Sequence, residues 1–105
     1  MKTIAAVSIV FLSLSCAAFA ADAKAGGAAY EKSCKGCHGA TGSPNPAIAK
    51  MLSATIPELG SAEVQKLSDA DLVKIVNEGK GKMKPIKNLS AAPEDVIAFV
   101  RTLKK

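Results

Sequence analysis

The residues best suited to chemistry lie within five positions, Cys34-Lys35-Gly36-Cys37-His38. Two thiols three residues apart at the end of a helix can each form a thioether to one of the two vinyl groups of a haem. The adjacent imidazole then lies under the iron, so C-x-x-C-H reads as a c-type attachment sequence. Three other readings use the same residues. A structural zinc site normally needs four Cys or His ligands, whereas the chain after its leader offers two cysteines and one histidine. A redox-active dithiol belongs in a βαβ setting. A chance occurrence of the motif would leave a very small domain without a filler for its core. The expected cofactor is therefore one covalently bound haem c, held by Cys34 and Cys37, with His38 as the proximal axial iron ligand.

The elements that must position these residues follow a leader. Lys2 is followed by TIAAVSIVFLSLSCAAFAA, uncharged up to Asp22 and containing the small-residue triplet Ala18-Phe19-Ala20. A positive start, an apolar middle and an A-x-A site are the marks of a cleaved secretory signal. The alternative is an uncleaved membrane anchor, because the stretch approaches the length that spans a bilayer. Cleavage after Ala20 gives a signal over 1–20, which takes Cys16 with it, and a domain over 21–105. The expected location is the periplasm, with no stable membrane insertion once the signal is gone.

That domain is small. Only Tyr30 and Phe99 remain as aromatics, and chains of this size commonly need a metal, a disulfide framework or another filler. Without Lys2 the balance is 13 basic against 9 acidic side chains, a formal +4. The lysines form no long run and no aromatics interleave them, which argues against nucleic acid and for an acidic protein partner or plain solubility.

The periodicity predicts an all-α fold of about four to five short helices. Asp22 can cap the first, through AKAGGAAYEKSCK to near Gly36. A short turn of helix can follow Asn45, with Pro46 at its first position. Ser61 can cap a third, through AEVQKL. Ser68 and Asp71 resemble a capping box for a fourth, whose stripe is Leu72, Val73, Ile75 and Val76 and whose stop is Gly79. The last begins near Pro93 and aligns Val96, Phe99, Val100 and Leu103, with Arg101, Lys104 and Lys105 suited to its C-terminal dipole.

With these elements the chain after Asp22 resembles the small class I cytochromes c of bacterial periplasms. Gly26, Tyr30 and Cys34 match the G-x-x-x-aromatic-x-x-x-C spacing of that family's first helix. Phe99 in IAFVRTLKK matches the aromatic of its last helix, and the resemblance implies that the two helices cross at Gly26 with a ring packed on its backbone. GKGKMKPI resembles the family's axial-methionine loop, which implies Met83 as the distal axial ligand. Lys84 here separates Met83 from Pro85, and Ile86 stands where an aromatic is common. Met51 in AIAKMLSA is the competing thioether and, at helical spacing, reads as core; a lysine of the loop is a further candidate. The resemblance also implies that a proline carbonyl, that of Pro46, accepts a hydrogen bond from the proximal imidazole.

Ligation by His and Met fills both iron positions and implies a soluble one-electron carrier, not an enzyme, that works as a monomer between redox partner proteins with acidic docking surfaces. A haem protein with an open or labile sixth position, peroxidase-like or gas-sensing, is the alternative, as is a haem subunit of a larger complex. Lys80, Lys82, Lys84 and Lys87 surround Met83 in sequence, and Lys32 and Lys35 flank the attachment motif, so both groups are expected near the haem edge.

Overall fold

The computed structural model describes residues 21–105, and the signal sequence read over 1–20 lies outside them. The described chain is helical. Its elements are α1 (Ala23–Ser33), α2 (Lys35–His38), α3 (Pro46–Leu52), α4 (Ala62–Gln65), α5 (Asp69–Glu78) and α6 (Pro93–Thr102). Among the described residues the extended pairing is one isolated bridge between Lys80 and Met83.

Local chemistry starts four of these helices as the sequence predicts. The Asp22 carboxylate accepts from the Lys24 and Ala25 N–H groups at 3.0 and 3.1 Å. The Asn45 side chain accepts from Ala47 and Ile48, Ser61 from Val64, and Ser68 from Asp71. Each side chain satisfies an N–H that the first helical turn leaves without a partner. Gly79 stops α5 at φ 77°, a conformation that costs glycine little.

The first helix departs from the expected run to Gly36. Cys34 leaves helical geometry at φ −121°, ψ −34°, and a new turn, α2, carries the chain on to His38. Cys34 is buried with Ala29, Tyr30, Val96 and Val100, while Lys35, Gly36 and Cys37 are exposed. The break lets Cys34 join the core and starts a separate turn bearing Cys37 and His38, which accounts for a sixth helix.

α1 and α6 cross at Gly26, as the resemblance implies, but the contact differs. A Cβ on Gly26 would lie 1.8 Å from the Asp95 carbonyl oxygen and 2.8 Å from the Val96 nitrogen. Backbone meets backbone there. The Phe99 ring instead covers Gly27, whose Cβ would meet Phe99 Cδ2 at 3.0 Å, and lies 4.9 Å from the Tyr30 ring, centroid to centroid.

The core has two parts, and α6 serves both. Val96 and Val100 pack with Ala29, Tyr30 and Cys34; Ile97 packs with Val64, Leu72 and Val76. Leu59 and Leu89 touch both clusters. The sequence stripe of α6 omitted Ile97, because it assumed a single buried face. Arg101 stands in the last turn of α6, as expected, and its side chain has further partners. Its guanidinium reaches Asp69 Oδ1 at 2.7 and 3.0 Å and the carbonyls of Gln65 and Leu67 at 2.8 and 2.6 Å. It thereby fastens the end of α6 to the α4–α5 connection.

Candidate functional site

α2 brings together three of the four residues singled out from the sequence. The Cys37 and His38 N–H groups both donate to the Cys34 carbonyl, at 3.2 and 3.0 Å, and Gly39 N–H donates to Lys35 at 2.9 Å. These bonds make Cys34 to His38 a compact turn. The two thiols are free and have different surroundings: Cys34 is buried and Cys37 exposed. Burial, and secondarily the neighbouring Cys37, pushes the Cys34 thiol above its usual range.

His38 is half-buried, and desolvation lowers its pKa. Burial disfavours the charged imidazolium, so the ring is held in the neutral form that can offer a lone pair to a metal. Its Nδ1 is buried and has no hydrogen-bond partner. The bond expected to the Pro46 carbonyl is therefore absent; Pro46 occupies the first position of α3.

The segment after His38 is tied at several points. Gly39 holds φ 78°, and its carbonyl accepts from the Tyr30 hydroxyl at 2.6 Å. Asn45 N–H donates to the Cys37 carbonyl at 3.1 Å, and Leu59 N–H to that of Gly42 at 3.0 Å. The Glu58 carboxylate receives the Ser43 hydroxyl at 3.1 Å and also pairs with Lys105.

Met83 comes from a different element, the loop between α5 and α6. Lys80 and Met83 exchange two backbone hydrogen bonds of 2.9 Å each, and Gly79 and Gly81 take φ 77° and 57°. A Cβ on Gly79 would lie 2.5 Å from the Met83 carbonyl oxygen, so this turn closes only over glycine. Downstream, Ile86 N–H donates to the Val76 carbonyl at 2.9 Å, and Leu89 packs on the cluster that contains Cys34. Met83 is half-buried. Met51 is 72 % exposed, which corrects its assignment to the core: α3 is too short and too lightly packed to bury any residue.

The donor set of the α2 turn is two free thiols and a neutral imidazole, which fit a covalently held haem; the Met83 thioether stands on a separate, glycine-closed loop. Two surface hollows, of about 430 and 330 Å³, are lined by other residues, chiefly of α5 with Glu94 and of α1 with Phe99, so the donor set marks the site and the hollows do not.

The sequence reading missed three contributions to this site. The Tyr30 hydroxyl had a signal, since a phenylalanine would satisfy the aromatic position without it. Leu59 and Leu89, which join the clusters, carried none beyond being apolar.

A helical domain with a C-x-x-C-H turn directly after its first helix has the form of a c-type cytochrome. One solved structure of that class, the KustC0563 c-type cytochrome, is 32 % identical, with a TM-score of 0.64, over 76 % of this chain and 98 % of its own. The chain belongs to the family described as cytochrome c oxidase, cbb3-type, subunit III, whose model matches residues 21–101. No curated protein matches it. The class is one of haem c proteins that transfer electrons. Among the described residues no helix is long and apolar enough to cross a membrane.

Proposed function

We propose that this chain is a periplasmic carrier of single electrons, exported by a signal over residues 1–20, with one haem attached through Cys34 and Cys37. The observation that carries the reading is the α2 turn, in which two unpaired thiols lead directly into a neutral, half-buried imidazole. The haem, when bound, supplies a centre that accepts and releases one electron. Cys34 and Cys37 keep it on the chain outside the cell. His38 would supply an imidazole nitrogen to the iron. Met83 would supply a thioether, a ligand that favours reduced iron and raises the potential. With His38 and Met83 both engaged, oxygen and peroxide would find no open site, and the protein would carry electrons without acting as an enzyme.

The mass and spectrum of the purified protein test this reading. The expected mass is that of residues 21–105 plus one haem, and the expected ferric spectrum is low-spin with the weak far-red band of sulfur ligation. A high-spin spectrum without that band would refute Met83 as a ligand and leave an open-site haem protein. The family match favours a second reading, a haem subunit held within a larger oxidase-type complex. Purification as a free monomer decides for the carrier, and co-purification in a fixed ratio with a membrane enzyme decides for the subunit.

The partner is a protein with an acidic docking surface. Lys80, Lys82, Lys84 and Lys87 are exposed, and the 79–92 loop that bears them contains no acidic residue. Lys35 differs, because Glu31 pairs with it at 3.6 Å. A one-signed patch raises encounter rates with an oppositely charged protein, and salt suppresses the gain. Electron-exchange rates with an acidic partner therefore fall as ionic strength rises. Lys82→Glu with Lys84→Glu slows the reaction at low salt and flattens the salt dependence, with the haem spectrum unchanged. A rate indifferent to salt and to both substitutions would leave these lysines as solubilising charges.

A further inference from the structure

Tyr30 is 2 % exposed, and its phenol leaves α1 to donate to the Gly39 carbonyl at 2.6 Å. Gly39 follows His38 directly. It reverses the chain at φ 78°, where a Cβ would lie 2.0 Å from the Ser43 carbonyl oxygen, so the backbone at that point has little room to adjust. The Gly39 carbonyl also receives the Gly42 N–H at 3.4 Å, and the phenol is thus part of the turn that ends the His38 segment.

Packing alone does not account for the hydroxyl. A phenylalanine would fill the same space and keep the ring contact with Phe99, tilted 47° at 4.9 Å. A buried hydroxyl is unfavourable unless it is hydrogen-bonded, and here its bond is made to the residue adjoining the imidazole. The orientation of the His38 ring depends in part on the backbone that carries it, and the phenol holds that backbone one residue beyond the imidazole.

We propose that the Tyr30 hydroxyl is a positioning group for His38, which sets, through the Gly39 carbonyl, the direction in which the imidazole is presented. This rests on the reading of His38 as an axial ligand. Tyr30 acts through the backbone and does not touch the iron.

The test uses the purified holoprotein, read by its midpoint potential and by the paramagnetically shifted His38 ring resonances in NMR. Tyr30→Phe should keep the helix content and attached haem while moving both the potential and the His38 resonances. Val64→Ala, in the other cluster, should lower the melting temperature and leave both readouts in place. Tyr30 is the chain's only tyrosine, so growth on 3-fluorotyrosine alters this one phenol without deleting it, and a smaller displacement of the His38 resonances is expected. Wild-type potential and His38 resonances in Tyr30→Phe, whatever its melting temperature, would overturn the proposal. If Tyr30→Phe does not fold, unmoved His38 resonances in the fluorinated protein overturn it equally. A wild-type protein without histidine-ligated iron would instead remove the ligand assignment, and this proposal with it.

Discussion

Met83 and Met51 carry the same thioether in opposite surroundings. Met83 is half-buried in a loop closed by two glycines at positive φ, whereas Met51 is 72 % exposed on a helix that buries nothing. Met83→Ala is expected to abolish the far-red band, admit exogenous ligands and lower the potential. Met51→Ala should change neither spectrum nor potential and should shift stability by no more than about 0.5 kcal/mol, as surface substitutions do. A spectral loss on Met51→Ala would transfer the ligand role to it. Tyr30 offers a pH test at the same scale. Burial raises its phenol from 10.0 to about 12, against an opposing hydrogen bond from the Gly42 backbone; the further rise that a free Cys34 thiolate would add is lost once Cys34 is a thioether. The fold therefore favours the neutral phenol. Its contribution is fully present below pH 10.0 and is lost as pH rises through about 12. Denaturant titrations of wild type and Tyr30→Phe should show a stability difference that shrinks across this range. A difference independent of pH would show that the phenol is not held neutral by folding.

Between elements, the α1–α6 crossing and the Arg101 fastening make separable predictions. A methyl on Gly26 would meet the Asp95 and Val96 backbone, which cannot rotate away, so Gly26→Ala must push the helices apart. Overpacking of this kind costs about 1–3 kcal/mol or more. Gly27→Ala should be milder, because its nearest neighbour is the Phe99 ring, and a ring can shift. Thermal melts of the two variants order them directly, and equal losses would contradict the observed crossing. Asp69 and Arg101 form an ion pair at 2.7 Å, but the Asp69 side chain is 76 % exposed. Exposed pairs contribute at most about 1 kcal/mol, so Asp69→Ala should be nearly silent. Arg101→Ala also leaves the Gln65 and Leu67 carbonyls without their donor, and a loss of about 1–3 kcal/mol is expected.

At the scale of the whole molecule, nine hydrophobic residues among those described make up the buried core, with Tyr30 and Val96 the largest that are almost fully enclosed. A core this thin leaves little surplus over the conformational entropy of the domain. Replacing Cys34 and Cys37 together with Ala should therefore yield a chain without attached haem and with a mostly disordered circular-dichroism spectrum. Cooperative melting of that haem-free variant would show that the two clusters suffice alone.

The sequence by itself determined whatever depends on neighbours within a few positions. Asp22, Asn45, Ser61 and Ser68 start their helices because each reaches an N–H two or three residues ahead, and Gly79 ends α5 through its own backbone freedom. The C-x-x-C-H turn is equally local, so the class of protein was legible before any coordinates. Tertiary structure decided what depends on residues far apart in the chain. The helix breaks at Cys34 because that side chain joins Val96 and Val100; Ile97 is buried because α6 has partners on two faces; Arg101 crosses to carbonyls some 35 residues away. The Tyr30 hydroxyl finds Gly39 only once α1 and α2 are folded. Helix period and capping chemistry carry no information about such pairings, since burial is a property of the assembled chain.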